Sequence, residues 1–144
     1  MTAQPQAGRV RPRRIRLPSD VERPKPNRPE HELQCAFHSW MQRQYPKVIA
    51  YSVPNMHQQL DARGGKYLND EGRTRGIPDY NIDEARGGYH GARVEFKSKG
   101  NKPTDAQIKM LHRLNAAGYY AFWTDDLFKA IESVNAYMRG KQTA

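Results

Sequence analysis

The chain has a single cysteine, Cys35, among its 144 residues. One cysteine cannot form an intrachain disulfide, and it excludes a zinc site built from several thiolates. The sequence also has no apolar run long enough to cross a bilayer and no hydrophobic segment typical of a signal peptide. These absences predict a protein of a reducing cytoplasm.

Acidic residues are scarce relative to basic ones, and the imbalance is strongest at the beginning of the chain. The net charge is +9, and residues 1–28 carry eight Lys and Arg against two acids, which is six of the nine charges. Prolines at 5, 12, 18, 24 and 26 interrupt any helix there. We predict a basic, disordered or extended arm over 1–28 and one domain over 29–144. The arm either attracts a phosphate backbone or serves as a solubilising leader.

The first part of the domain predicts a helix, a strand and a long polar segment. A helix begins near Pro29, and its apolar face has Leu33, Phe37, Trp40 and Met41. Glu30 and Gln34 share another face, because they are four residues apart. Residues 48–53 predict a strand that stops at Pro54-Asn55. Residues 56–76 predict a loop, with an amphipathic helix around 57–70 as the alternative. His57 in this segment is interpreted as an ordinary loop histidine.

Two short strands at the centre of the chain carry the charged residues of most interest. Asp79 begins the first strand after Gly76-Ile77-Pro78, and 84–91 is a glycine-rich hairpin link to the second. Glu95 and Lys97 point to one face of that second strand, and Val94 and Phe96 point to the other. Two nearby carboxylates repel unless a divalent cation lies between them. The alternatives are a turn aspartate and a solvated strand edge, since the sequence does not fix the register.

The last third of the domain predicts helix, strand and helix. Thr104 is a good N-cap, with Asp105 in the first turn, and Gly118 ends this helix. Gln107 lies in the first turn, where its side chain can face the two strands. Residues 119–124 predict a strand, and Asp126 caps a final helix whose apolar face packs on the sheet or pairs with another subunit. The fold class is therefore α/β, a small mixed β-sheet flanked by α-helices.

The order of these residues resembles a known signature. Pro78-Asp79 followed by Glu95-Phe96-Lys97 resembles the PD-(D/E)XK nuclease superfamily, and the surroundings resemble its VRR-NUC family, as found standalone in phages and bacteria. The similar surroundings, which extend the resemblance over roughly residues 29–124, are Glu30 with Gln34, Pro54-Asn55, Gly72 with Gly76, and Thr104-Asp105-Ala106-Gln107.

The resemblance implies a restriction-endonuclease-like core and a metal-dependent DNA endonuclease. Asp79, Glu95 and the backbone carbonyl of Phe96 would then bind Mg²⁺ or Mn²⁺, which prefer oxygen ligands. Lys97 would orient or deprotonate the attacking water and stabilise charge in the transition state. Gln107 and Glu30 would support the site, with Glu30 as a further metal ligand, directly or through water. Glu32 competes with Glu30 for this role.

The resemblance further implies a homodimer that cleaves branched DNA such as a four-way junction, in the cytoplasm of a bacterial or phage-infected cell. The residues predicted to contact DNA phosphates are Lys66, Arg73, Arg75, Lys99 and Lys102. The main competing hypothesis is a DNA-binding module of the same fold that does not cleave, or that needs a partner to do so. A packaging protein that uses its basic arm, or a ribonuclease, would also fit the sequence.

Overall fold

The computed structural model describes residues 29–54 and 62–142, which form four helices around a four-stranded sheet. The predicted arm over 1–28, Asn55 and His57 lie outside the described residues. The elements are α1 Pro29–Gln44, β1 Ala50–Ser52, α2 Ala62–Asp70, β2 Tyr80–Ile82, β3 Ala92–Phe96, α3 Asp105–Ala116, β4 Tyr120–Thr124 and α4 Leu127–Met138. The predicted α/β fold with a small mixed sheet is confirmed. None of these helices is long and apolar enough to span a membrane.

The sheet has the strand order β1-β2-β3-β4. The pairs β1–β2 and β2–β3 are antiparallel, whereas β3 and β4 run parallel. The link over residues 84–91 joins β2 to β3 as the predicted hairpin, and it sets Tyr80 opposite Val94 and Ile82 opposite Ala92. A parallel pair needs a long crossover, which α3 provides between β3 and β4. The structure thus supplies the β2–β3 register that the sequence left open.

The hydrophobic core lies on one face of the sheet, between the strands and the helices α1 and α4. Phe37 of α1 packs edge-on against Tyr80, with ring centroids 5.2 Å apart, and also contacts Phe96. Each buried side chain of this size contributes about 1.5–3 kcal/mol relative to an exposed one. The other central residues of the core are Met41, Ile82, Ala92, Val94, Ala130 and Val134. The predicted apolar face of α1 is confirmed, and α4 packs into this same core.

One segment predicted as a loop is a helix. α2 spans Ala62–Asp70, so the loop interpretation of 56–76 is wrong there, and the alternative of a helix around 57–70 is correct for 62–70. Gly64 and Gly65 disfavour a helix and hide its pattern, since glycine costs about 1 kcal/mol within a helix. An ion pair between Lys66 and Asp70, at 2.7 Å and one turn apart, supports the helix from its exposed side. α2 has no buried residue.

Candidate active site

The two acids of the predicted signature lie side by side on neighbouring strands. Continuing the Tyr80–Val94 register by one residue sets Asp79 opposite Glu95, on the sheet face away from the core. Asp79 is 8% exposed and Glu95 is 1% exposed. Oδ2 of Asp79 accepts a hydrogen bond of 2.9 Å from the backbone N–H of Phe96. The hydrogen bond fixes the Asp79 carboxylate against the strand that carries Glu95.

Two donors converge on one oxygen of Glu95. Nζ of Lys97 lies 2.9 Å from Oε1, and Nε2 of Gln107 donates a short hydrogen bond to the same atom. Lys97 follows Glu95 by two residues on the same strand face, and Gln107 reaches it from the first turn of α3. The other oxygen, Oε2, is buried and has no hydrogen-bond partner among the described residues. Glu95 therefore presents one satisfied oxygen and one buried oxygen that can still accept a ligand.

The surroundings of Glu95 and Lys97 shift both of their pKa values. Burial and the charge of Asp79 raise the pKa of Glu95 to about 7, although Lys97 partly opposes them. Burial on its own would lower the pKa of Lys97, but the hydrogen bond and charge of Glu95, helped by Glu30 and Asp79, raise it overall. Lys97 is therefore a protonated donor at neutral pH. Glu95 holds its negative charge in a place that disfavours it, which is the condition in which a cation is most stabilising.

These residues open into a cleft of about 890 Å³ between the sheet, α3 and the segment that follows α2. Glu30 of α1 is half-buried and lines this cleft, whereas Glu32 is exposed and does not. The structure thus brings Glu30, rather than its competitor, to the same cleft as the two strand acids. The cleft is lined by Glu30, Val53, Pro54, Leu68, Glu71–Ile77, Asp79, Glu95, Lys97 and Gln107.

The predicted DNA-contacting residues divide into two groups. Arg73 and Arg75 are exposed and line the cleft, and Nε of Arg73 donates a hydrogen bond of 3.1 Å to Oδ1 of Asn69. Lys66, Lys99 and Lys102 are exposed outside the lining, and Lys66 is paired with Asp70. Of the five residues predicted to contact DNA, only Arg73 and Arg75 therefore line the cleft that a phosphate would enter.

Sequence reasoning missed several residues that shape the cleft. Leu68 and Glu71 line it from the end of α2 and the turn after it. The signal that could have placed them is the alternative helix, because a helix ending near residue 70 would bring both to the Gly72–Gly76 segment. The sequence marks Thr104 as a helix cap and as part of the resemblance, but it does not show that Thr104 contacts Gln107 at the site.

The donor set fits a small, hard divalent cation. Among the described residues, Oε2 of Glu95 is a buried oxygen without a hydrogen-bond partner, and the Asp79 carboxylate lies opposite Glu95 on the next strand. Carboxylate oxygens are the kind of ligand that Mg²⁺ and Mn²⁺ prefer. Residues 29–54 and 62–142 contain no group of three or more His, Cys, Asp and Glu side chains arranged to hold a metal ion. In this arrangement Glu30 does not complete a three-carboxylate site.

Comparisons with known proteins agree with this geometry. No protein-family model matches the sequence, and the search of curated proteins finds no match either. Among solved structures, the chain is similar to one described as a "VRR_NUC domain protein", with a TM-score of 0.68 and 28% sequence identity. The match covers 81% of this chain and 93% of the other. The chain therefore has the fold of a VRR_NUC domain protein, restriction-endonuclease-like, and the relationship implies a nuclease of the PD-(D/E)XK kind.

Proposed function

We propose that the protein is a metal-dependent endonuclease that hydrolyses phosphodiester bonds of DNA. The observation that carries the proposal is the pairing of Asp79 with Glu95 across two strands. Lys97 lies 2.9 Å from Oε1 of Glu95, and Oε2 has no hydrogen-bond partner within residues 29–54 and 62–142. Two close carboxylates and a protonated lysine in an open cleft suit a cation-assisted reaction on an anionic substrate. The similarity to a VRR_NUC domain protein supports the same activity.

Each residue of the site has a distinct part in the proposed reaction. Asp79, Glu95 and the Phe96 carbonyl would hold the cation, which would make a water more acidic and offset the negative charge of the phosphate. Lys97 would orient or deprotonate the attacking water and stabilise charge in the transition state. Gln107 holds Oε1 of Glu95. Arg73 and Arg75 bind the DNA backbone at the wall of the cleft.

The finer parts of the proposal concern the substrate and the assembly. We infer a preference for branched DNA, such as a four-way junction, and a homodimer that presents two clefts to two strands. Lys66, Lys99 and Lys102 would then contact phosphates outside the cleft, where they are exposed. These steps are supported by the resemblance to standalone VRR-NUC proteins and by the net charge of +9. The same resemblance supports the cytoplasm of a bacterial or phage-infected cell as the place of action.

A second candidate is a DNA-binding module of the same fold that does not cleave, or that cleaves only with a partner. One observation favours it: no three His, Cys, Asp or Glu side chains of the described ranges are gathered to hold a metal. A site with two carboxylates would bind a cation weakly unless DNA adds its phosphate oxygens as ligands. The two candidates differ in whether the protein alone cleaves DNA when metal is supplied.

Cleavage assays on labelled duplex, flap and four-way-junction DNA test the proposal in Mg²⁺, Mn²⁺ or EDTA. Asp79→Asn keeps an acceptor for the Phe96 N–H but removes the charge, and Lys97→Met keeps most of the chain length but removes the ammonium. Each substitution should lower the cleavage rate by about 10²–10³-fold. Glu132→Gln, an exposed position on α4, is the matched control and should cleave as the wild type does.

The outcomes separate the two candidates. Cleavage by the wild type only with metal, lost in both site variants at unchanged melting temperature, supports the endonuclease. Wild-type protein that binds these DNAs but leaves all of them intact in both metals contradicts it and favours the binding module. The rate on the junction relative to the duplex then measures the proposed structure selectivity, and sedimentation of the protein measures the dimer.

A further inference from the structure

The side-chain amide of Gln107 is held at both of its ends. Its oxygen accepts a hydrogen bond of 2.9 Å from the backbone N–H of Thr104 and lies 3.3 Å from the Thr104 hydroxyl. Its nitrogen donates to Oε1 of Glu95. If the amide turned over, its nitrogen would face the N–H of Thr104 and its oxygen would face a carboxylate. Both contacts would be repulsive, so only one orientation of the Gln107 amide satisfies its neighbours.

The hydrogen bonds between Thr104 and Gln107 are also those of a helix cap. The Thr104 side chain accepts from the backbone N–H of Gln107 at 3.3 Å, while the Gln107 side chain accepts from the Thr104 backbone, as in a capping box. In most capping boxes the second side chain serves only the helix end. Here its remaining polar group, the amide nitrogen, reaches Glu95 on a neighbouring strand. The cap of α3 and the site therefore share one side chain.

The orientation of Gln107 decides which oxygen of Glu95 is available. Gln107 and Lys97 both donate to Oε1, so Oε2 is the oxygen left without a hydrogen-bond partner in the described part of the chain. Glu95 is 1% exposed, so the loss of a donor would leave its buried carboxylate poorly solvated. Loosening the Gln107 amide would allow the carboxylate to turn and would leave its charge less well neutralised. A hydroxyl on Thr104 thus acts on Glu95 through one intervening side chain.

The N-terminal end of α3 is held in place against the segment that leads to Asp79. A Cβ added at Gly76 would lie 2.7 Å from the carbonyl oxygen of Ala106 and 3.2 Å from the backbone nitrogen of Gln107. The N-terminal cap of α3 therefore lies directly against Gly76, which precedes Asp79 by three residues. The cap is therefore fixed relative to both acids, as a positioning device requires.

We propose that Thr104 is a positioning residue that fixes the amide of Gln107 and, through it, the carboxylate of Glu95, a role that rests on the proposed nuclease function. Substituting an outer partner of a metal-binding carboxylate or histidine commonly weakens metal binding by 10–100-fold. Thr104→Ala removes the hydroxyl but keeps the backbone N–H, so we expect the lower end, about tenfold weaker Mn²⁺ binding.

The test compares three full-length variants with the wild type: Thr104→Ala, Thr104→Ser and Asp126→Ala. Asp126 caps α4 by accepting from the backbone N–H of Lys129, and it does not line the cleft, so its loss is a matched cap deletion elsewhere. The measurements are the melting temperature, Mn²⁺ binding by calorimetry, and the side-chain amide resonances of Gln107 in metal-free protein. Both alanine variants should melt at a similarly lowered temperature.

Of the two alanine variants, only Thr104→Ala should weaken Mn²⁺ binding and shift the Gln107 side-chain amide proton resonances toward the chemical shifts of an exposed glutamine. Thr104→Ser should restore both the Mn²⁺ affinity and the chemical shifts. The proposal is overturned if Thr104→Ala leaves the chemical shifts of these protons as in the wild type, or if Asp126→Ala changes them by as much. The resonances are measured without metal or DNA. If the wild type binds no Mn²⁺, the proposed function fails, and the amide protons alone decide whether Thr104 positions Gln107.

Discussion

Glu95 combines a buried position with a proposed role, that of a cation ligand, which needs its charge. The side chain is 1% exposed, and its burial together with Asp79 raises its pKa to about 7. At neutral pH the metal-free protein is therefore a mixture of forms with Glu95 protonated and ionised. A divalent cation binds only the ionised carboxylate, so proton and cation compete for the same group. This competition is a property of one residue, and it can be measured without DNA.

Mn²⁺ binding should weaken as the pH falls through the pKa of Glu95. Below pH 7 the carboxyl is mostly protonated, and binding must release that proton. Above pH 7 the carboxylate is already ionised, and no proton is released. From pH 8 to pH 6 the apparent affinity should fall by about tenfold. Calorimetry in buffers of different ionisation enthalpy should show proton release near zero at pH 8 and approaching one at pH 6. An affinity that stays constant over this range would contradict a Glu95 ligand with a pKa near 7.

At the scale of elements, the site depends on how closely the segment after α2 approaches α3. Gly76 has a φ of +80°, a conformation that favours glycine, and a Cβ added there would lie 2.7 Å from the carbonyl oxygen of Ala106. Gly72 has a φ of +102° and has nothing within 4 Å of an added Cβ. The two glycines lie on the same segment but differ in whether a neighbour excludes a side chain.

Gly76→Ala should destabilise the fold more than Gly72→Ala. Each substitution carries the strain of positive φ, about 1–2 kcal/mol, but the methyl group at residue 76 would also collide with the carbonyl of Ala106. The collision should add about 1–3 kcal/mol. Urea unfolding of both variants measures the difference, with Gly72→Ala as the control for backbone strain. Equal losses of stability would show that α3 and the segment do not approach as described.

The elements that the sequence predicted well are those whose residues face the core. Phe37 and Met41 on α1, and Val94 and Phe96 on β3, alternate with the periods of a helix and a strand because burial selects them. α2 was only the alternative prediction because Gly64 and Gly65 disfavour a helix and no residue of α2 is buried in the core. Whether Asp79 lies opposite Glu95 depends on the register between β2 and β3. This register is set by the pairing of the two strands across the link over 84–91 and not by either strand alone.

The candidate site was predictable in its members but not in its connections. The types and order of Asp79, Glu95, Lys97 and Gln107 are readable in the sequence. Which oxygen of Glu95 receives both donors depends on side-chain orientations that no pattern encodes. The use of Thr104 for both a helix end and the site likewise appears only when α3 is placed against the sheet.

For the whole molecule, charge is distributed unevenly along the chain. Residues 1–28 carry six of the nine net positive charges. Attraction of these cations to a phosphate backbone would depend on salt and not on DNA sequence.

Replacing Arg9, Arg11, Arg13, Arg14 and Arg16 together by glutamine should make DNA binding less sensitive to salt. The slope of log affinity against log salt should fall by about one for each arginine that contacts a phosphate. Cleavage should survive at low salt, since the cleft residues are unchanged. Binding titrations at several salt concentrations, beside cleavage assays, check both expectations. An unchanged slope would identify the arm as a solubilising leader, and complete loss of binding would favour a packaging protein over a nuclease.

The place where α1 begins has a consequence for this arm. Pro29 is the first residue of α1, and its neighbour Glu30 lines the cleft. Pro29 therefore lies directly next to a residue that lines the cleft. A chain tethered at that point keeps its cations at a high effective concentration near whatever enters the cleft, however weakly each one binds. The arm and the cleft would then act on a DNA strand as two linked sites, whose joint affinity depends on the length of chain between them.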